Sequence, residues 1–111
     1  LPDVVAKLSA ALENCGLHYG KNIEEQPHFV PEDSEFVQKL LKVYSEVEGE
    51  PGHCIAIGGG TYVHTVEGGV AFGVERGDTD YHMHGNDEFI TEDELLKDAV
   101  LFACAIADIC G

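Results

Sequence analysis

The chain has 111 residues, enough for one small domain with a single core, and its 44% hydrophobic content argues against disorder. Lys plus Arg number 6 against 21 Asp plus Glu, a formal charge of -15. Such a surface repels nucleic-acid phosphates and anionic membranes and attracts cations, although solubility alone also accounts for it.

The chain opens on Leu1 rather than Met, which gives the expectation of an excised or processed piece. Val4, Val5, Leu8, Ala11, Leu12 and Cys15 follow at helical spacing, predicting a helix with one buried stripe that stops at Gly16. Leu17, Tyr19 and Ile23 predict a strand interrupted by Gly20. Pro27 and Pro31 bracket an extended His28-Phe29-Val30, a natural crossover between units. Pro31 suits a first helical position, with Glu32, Asp33 and Glu35 at the positive end of the helix dipole. Phe36, Val37, Leu40, Leu41, Tyr44 and Val47 continue that helix until Gly49-Glu50-Pro51-Gly52.

Residues 53–57 and 70–74 predict two short buried strands, separated by Gly58-Gly59-Gly60-Thr61 and the Gly68-Gly69 turn. After a polar loop, Arg76-Gly77-Asp78-Thr79-Asp80, the stretch from Tyr81 to His84 is expected to be extended again. Thr91 with Glu94 forms a capping box before a last helix over about 91–109. From Ala99 onward that helix is apolar nearly all round, so burial on more than one side is expected, against a larger body. The cysteines at 15, 54, 104 and 110 make no C-x-x-C pair and read as buried or half-buried thiols of a reducing cytoplasm. No apolar run reaches membrane-span length, and the N-terminus lacks the charge-then-apolar pattern of a secretory signal.

Four clusters carry candidate chemistry. Gly58-Gly59-Gly60-Thr61 could present backbone N–H groups to an anion; no Lys follows for a phosphate, so a carboxylate fits better, and a flexible turn is the alternative. Asp80, His82 and His84 would alternate onto one face of an extended chain, and imidazole with carboxylate suits zinc, but two or three ligands leave a site incomplete. Asp87 or Glu88 could hold the second ring nitrogen of a ligand histidine, or belong to an acidic turn. His64, beside Tyr62, could line a pocket or sit on the surface. No nucleophile elbow, Cys–His pair or dinucleotide fingerprint occurs, so no catalytic residue is assigned.

Residues 57–62 (Ile-Gly-Gly-Gly-Thr-Tyr), 69–73 (Gly-Val-Ala-Phe-Gly) and 84–88 (His-Gly-Asn-Asp-Glu) together resemble the closing part of PepV-like dinuclear zinc dipeptidases, relatives of carnosinase, aminoacylase and glutamate carboxypeptidase. The resemblance implies an α/β fragment, with residues 28–111 as the C-terminal part of a catalytic domain (a mixed sheet packed by helices) and residues 1–27 as a lid-domain remnant. It implies that His84 is a metal ligand and that Gly58, Gly59, Gly60 and Thr61, with His64 beside them, contact a short peptide substrate. Two zinc ions, with manganese or cobalt as alternatives, would serve the intact parent, a cytoplasmic hydrolase. The family's H-x-D motif and catalytic Glu-Glu pair have no match; Glu24-Glu25 differs in context, and Val63-His64 stands where many relatives carry Ala-Arg. The isolated chain is therefore expected to be inactive. The rival expectation is a stand-alone acidic, metal-dependent interaction module.

Overall fold

The structure is a computed structural model and describes residues 1–20, 25–73, 76 and 79–111. Ile23, Glu24, Val74, Gly77 and Asp78, named above, lie outside them. Among the described residues, three α-helices and one 3-10 turn follow in order: α1 (Pro2–Asn14), α2 (Glu35–Glu48), the turn Tyr62–Thr65, and α3 (Glu92–Cys110).

The α/β reading is overturned. Among the described residues there is no strand and no sheet. The physical reason lies in what a buried strand requires: a ladder partner and cover on both faces. Residues 53–57 and 70–73 pair with no strand, and Ile55 and Ile57 stay 69% and 58% exposed. Residues 81–84 are likewise not an extended run, because His82 and His84 take left-handed φ values of 55° and 62°. Asp80, His82 and His84 therefore do not alternate along one strand face.

Helix α2 begins at Glu35, later than Pro31 predicts, because Ser34 supplies the cap: its hydroxyl accepts the Val37 N–H at 3.4 Å. It ends at Gly49, whose φ of 80° is left-handed and cheap only for glycine. Ser45 then secures the exit, donating to the Leu41 carbonyl at 2.7 Å and accepting the Gly52 N–H at 3.0 Å. Helix α3 starts with the predicted capping box between Thr91 and Glu94.

Helices α2 and α3 are the one helix pair that packs among the described residues. Leu40 and Val43 of α2 meet Leu101 and Ala105 of α3, and Tyr44, Val47, Val70 and Phe72 close around them. Phe72 sets its ring edge-on to Phe102, with centroids 5.9 Å apart.

Little else is buried. The buried stripe expected on α1 is absent, with Val4 62% and Leu8 45% exposed. On α3, only the face toward α2 is covered; Val100 and Ile106 are 54% and 63% exposed. All four cysteines are exposed and free, contrary to the expected burial. The radius of gyration is 18.8 Å, against about 13 Å for a compact chain of this length. No helix among the described residues is long and apolar enough to cross a membrane.

Candidate functional site

The triple glycine follows the 53–57 segment directly and leads into the Tyr62–Thr65 turn. A methyl group added at Gly58, Gly59 or Gly60 would meet no atom within 4 Å. Packing within this chain therefore does not require these glycines, and their backbone faces open space. Thr61 stands at the N-cap of the turn that follows without a side-chain capping bond, its carbonyl accepting the His64 N–H at 3.3 Å, and Tyr62 is 99% exposed.

Gly60, Thr61 and His64 line one open hollow of about 440 Å³ with Glu25, Tyr62 and Thr65. Gly58 and Gly59 lie outside its lining, as does His84. His64 is held there from two directions. Its Nδ1 lies 3.3 Å from Glu25 Oε2, and its ring centroid is 5.6 Å from that of His28. His28 Nε2 donates to the Gly69 carbonyl at 2.6 Å; since a carbonyl only accepts, that nitrogen carries the hydrogen. The 25–28 segment is thereby stitched to both ends of the loop after the glycines. Sequence reasoning missed Glu25 and His28, because pairings across 39 and 41 residues leave no local spacing signal.

His84 sits exposed in a tight turn. The His82 N–H donates to Asp80 Oδ1 at 3.0 Å, the Gly85 N–H to the His82 carbonyl at 2.7 Å, and the His84 N–H to Glu88 Oε2 at 3.2 Å. A Cβ on Gly85 would come within 2.9 Å of the His82 oxygen, so only glycine fits there. His82, His84 and Asp87 all carry positive φ, a conformation disfavoured for L side chains. Glu88 thus supports the turn through the backbone of His84.

An exposed imidazole suits one coordination position of the expected zinc. Among the described residues, however, no three His, Cys, Asp or Glu side chains converge to hold an ion. The donors among the described residues do not complete a metal site.

The strongest electrostatic feature lies between the helices. Both terminal nitrogens of Arg76 donate to Asp98 Oδ1 at 3.1 Å, and one also donates to Glu48 Oε1 at 3.1 Å. Lys97 donates to the other Glu48 oxygen. Burial pushes the Glu48 carboxyl up, but the Lys97 hydrogen bond and the Arg76 and Lys97 charges outweigh it, leaving the pKa lowered. Burial likewise works against Arg76, and its hydrogen bond to Asp98 with the Glu48 and Asp98 charges more than offsets that. Glu94 is also lowered, by hydrogen bonds from the Thr91 side chain, the Tyr81 hydroxyl (2.7 Å) and the Thr91 backbone.

No protein-family model matches the chain, and no solved structure matches it. Curated relatives do. The Beta-Ala-Xaa dipeptidase of Lactobacillus delbrueckii subsp. lactis is 44% identical over 85 residues, 77% of this chain and 18% of that protein. A protein of Staphylococcus haemolyticus, provisionally named a dipeptidase, is 38% identical over 96 residues, 83% of this chain and 20% of its own length. Another from Staphylococcus epidermidis is 29% identical over 108 residues, 97% of this chain and 23% of its own length. The chain is thus homologous to a stretch of proteins named dipeptidase, and spans about a fifth of their length.

Proposed function

We propose that this chain is the C-terminal segment of a cytoplasmic, zinc-dependent, PepV-like dipeptidase that cleaves dipeptides or short peptides. The observation that carries the reading is the 44% identity to a Beta-Ala-Xaa dipeptidase across 77% of the chain. The exposed His84, the unobstructed glycine loop and the hollow at His64 support it chemically. Four free cysteines support a reducing compartment.

In this reading a bound zinc ion supplies polarisation of the scissile carbonyl and a more acidic water. His84 contributes one imidazole toward it, and the remaining ligands come from outside this chain. Backbone N–H groups of Gly58, Gly59 and Gly60 and the Thr61 hydroxyl hold the peptide by donating to its carboxylate or carbonyl oxygens. His64 orients the substrate from the hollow, with Glu25 and His28 fixing its ring. The bare faces of α3, with Ile55 and Ile57, bury against the rest of a protein about five times as long.

Hydrolysis of a β-alanyl dipeptide tests the reading, using the full-length protein that carries this chain, loaded with zinc. Turnover should fall about 100-fold in His84→Ala, and the 111-residue chain alone should be silent. Undiminished turnover in His84→Ala, or robust turnover by the isolated chain, would overturn it. The stand-alone metal-binding module would instead bind zinc stoichiometrically in isolation and lose it on His82→Ala and His84→Ala.

A further inference from the structure

The turn carrying His84 is built against its own backbone preference. Three of its residues, His82, His84 and Asp87, hold left-handed φ without being glycine. Such a conformation persists only where its surroundings over-determine it. The base of the turn is closed by the Phe89 N–H donating to the Tyr81 carbonyl at 3.3 Å, with the Tyr81 and Phe89 rings 5.9 Å apart. What fixes that base in the molecule is α3.

Two acidic residues of α3, Glu94 and Asp98, stand four apart and so lie on one face of the helix. Glu94 takes the Tyr81 hydroxyl at 2.7 Å. Asp98, only 8% exposed, takes Arg76, which reaches across to Glu48 at the end of α2. The Arg76 backbone is tied to the same segment, its carbonyl accepting the Thr79 N–H at 3.0 Å. The two carboxylates that hold Arg76 are withdrawn from water, with the Glu48 and Asp98 side chains 6% and 11% exposed, so their pairing is screened far less than a surface ion pair.

We infer that Arg76 and Tyr81 are positioning residues that pin the His84 turn to the face of α3 carrying Glu94 and Asp98. What His84 does once pinned rests on the dipeptidase reading; the pinning itself does not. Arg76 is the only arginine in the chain, and its planar fork engages two carboxylates on two different helices. A lysine would keep the charge and lose the fork.

The test uses the full-length, zinc-loaded protein and two readouts: dipeptide hydrolysis, and amide hydrogen exchange resolved by segment. In Arg76→Met, kcat should fall about tenfold with KM little changed. Exchange across residues 82–88 should quicken about tenfold while α2 and α3 stay protected. Arg76→Lys should recover part of both losses. Tyr81→Phe removes one hydroxyl without touching the ion pairs, and should loosen the same segment to a smaller extent. Wild-type exchange at 82–88 in both Arg76→Met and Tyr81→Phe would overturn the inference. If Arg76→Met strips protection from all of α2 and α3, Arg76 serves helix pairing instead, which overturns its assignment, and Tyr81→Phe still decides for Tyr81. A wild-type protein that hydrolyses no dipeptide would sink the reading of the preceding subsection, while the exchange measurements judge the tether unaided.

Discussion

The α2–α3 pair and the glycine loop stand at opposite ends of self-sufficiency. The helix pair carries its own caps, its own apolar contact and its own ion network, all within this chain. The glycine loop carries almost none of these: its three glycines face open space and Tyr62 beside them is fully exposed. A rigid scaffold presenting loops whose own conformation is weakly held is a common division of labour in binding and catalytic proteins. Here the difference also separates what this chain determines alone from what, in the proposed dipeptidase reading, neighbouring structure would supply.

The contrast can be broken at its strongest point first. Leu101 is fully buried, and Leu101→Ala should destabilise the helix pair by about 3 kcal/mol. A thermal melt followed by circular dichroism reads this. Asp98→Asn comes next: it removes the buried charge facing Arg76 and should cost about 2 kcal/mol in the same melt. Thr91→Ala deletes the capping box and should cost about 1 kcal/mol, with fraying at the start of α3 seen by amide exchange.

Acid should act on the pair with a definite sign. Glu48 and Glu94 have folded pKa values below their ordinary value of 4.5. Their contribution is therefore complete above that value and is lost as pH falls through the lowered ones. Melting temperatures should be flat from pH 7 to about pH 5 and drop below about pH 4. Tyr81→Phe should shallow that drop, because it removes one of the bonds holding Glu94 ionised.

The smallest stability effect belongs to the loop. Gly58→Ala meets no atom and should leave stability within about 0.5 kcal/mol. In the full-length protein the same change should lower dipeptide hydrolysis about tenfold, through a methyl placed where substrate must approach the backbone. A silent Gly58→Ala in the activity assay would remove the loop from the proposed site.

The helices were legible in the sequence because their signals are local. The Thr91–Glu94 box, the glycine at 49 and the apolar spacing of 36–47 each act within one or two turns. The two strands were misread because an apolar run of five residues specifies burial, not a ladder. With no partner strand among the described residues, residues 53–57 and 70–73 follow an irregular path, and only Val70 and Phe72 of the latter pack against the helix pair. The buried stripe on α1 failed for a related cause: periodicity marks a face for burial, but something must be present to bury it. At the candidate site, His64 and the glycines could be picked out by type and spacing. The ties from Glu25 and His28 could not, nor could the Arg76 network, which joins residues 22 and 28 apart in the chain.

Glu94 serves two masters. One carboxylate oxygen closes the first turn of α3 through Thr91, and the other receives the Tyr81 phenol. The winding of that helix and the seating of the histidine turn are therefore not separable events. A residue that caps as well but reaches Tyr81 less well would leave a sound helix with a wandering imidazole. The side chain at position 94 thus answers to geometry on both sides of it, and the start of α3 is as much a part of the histidine turn as the turn itself.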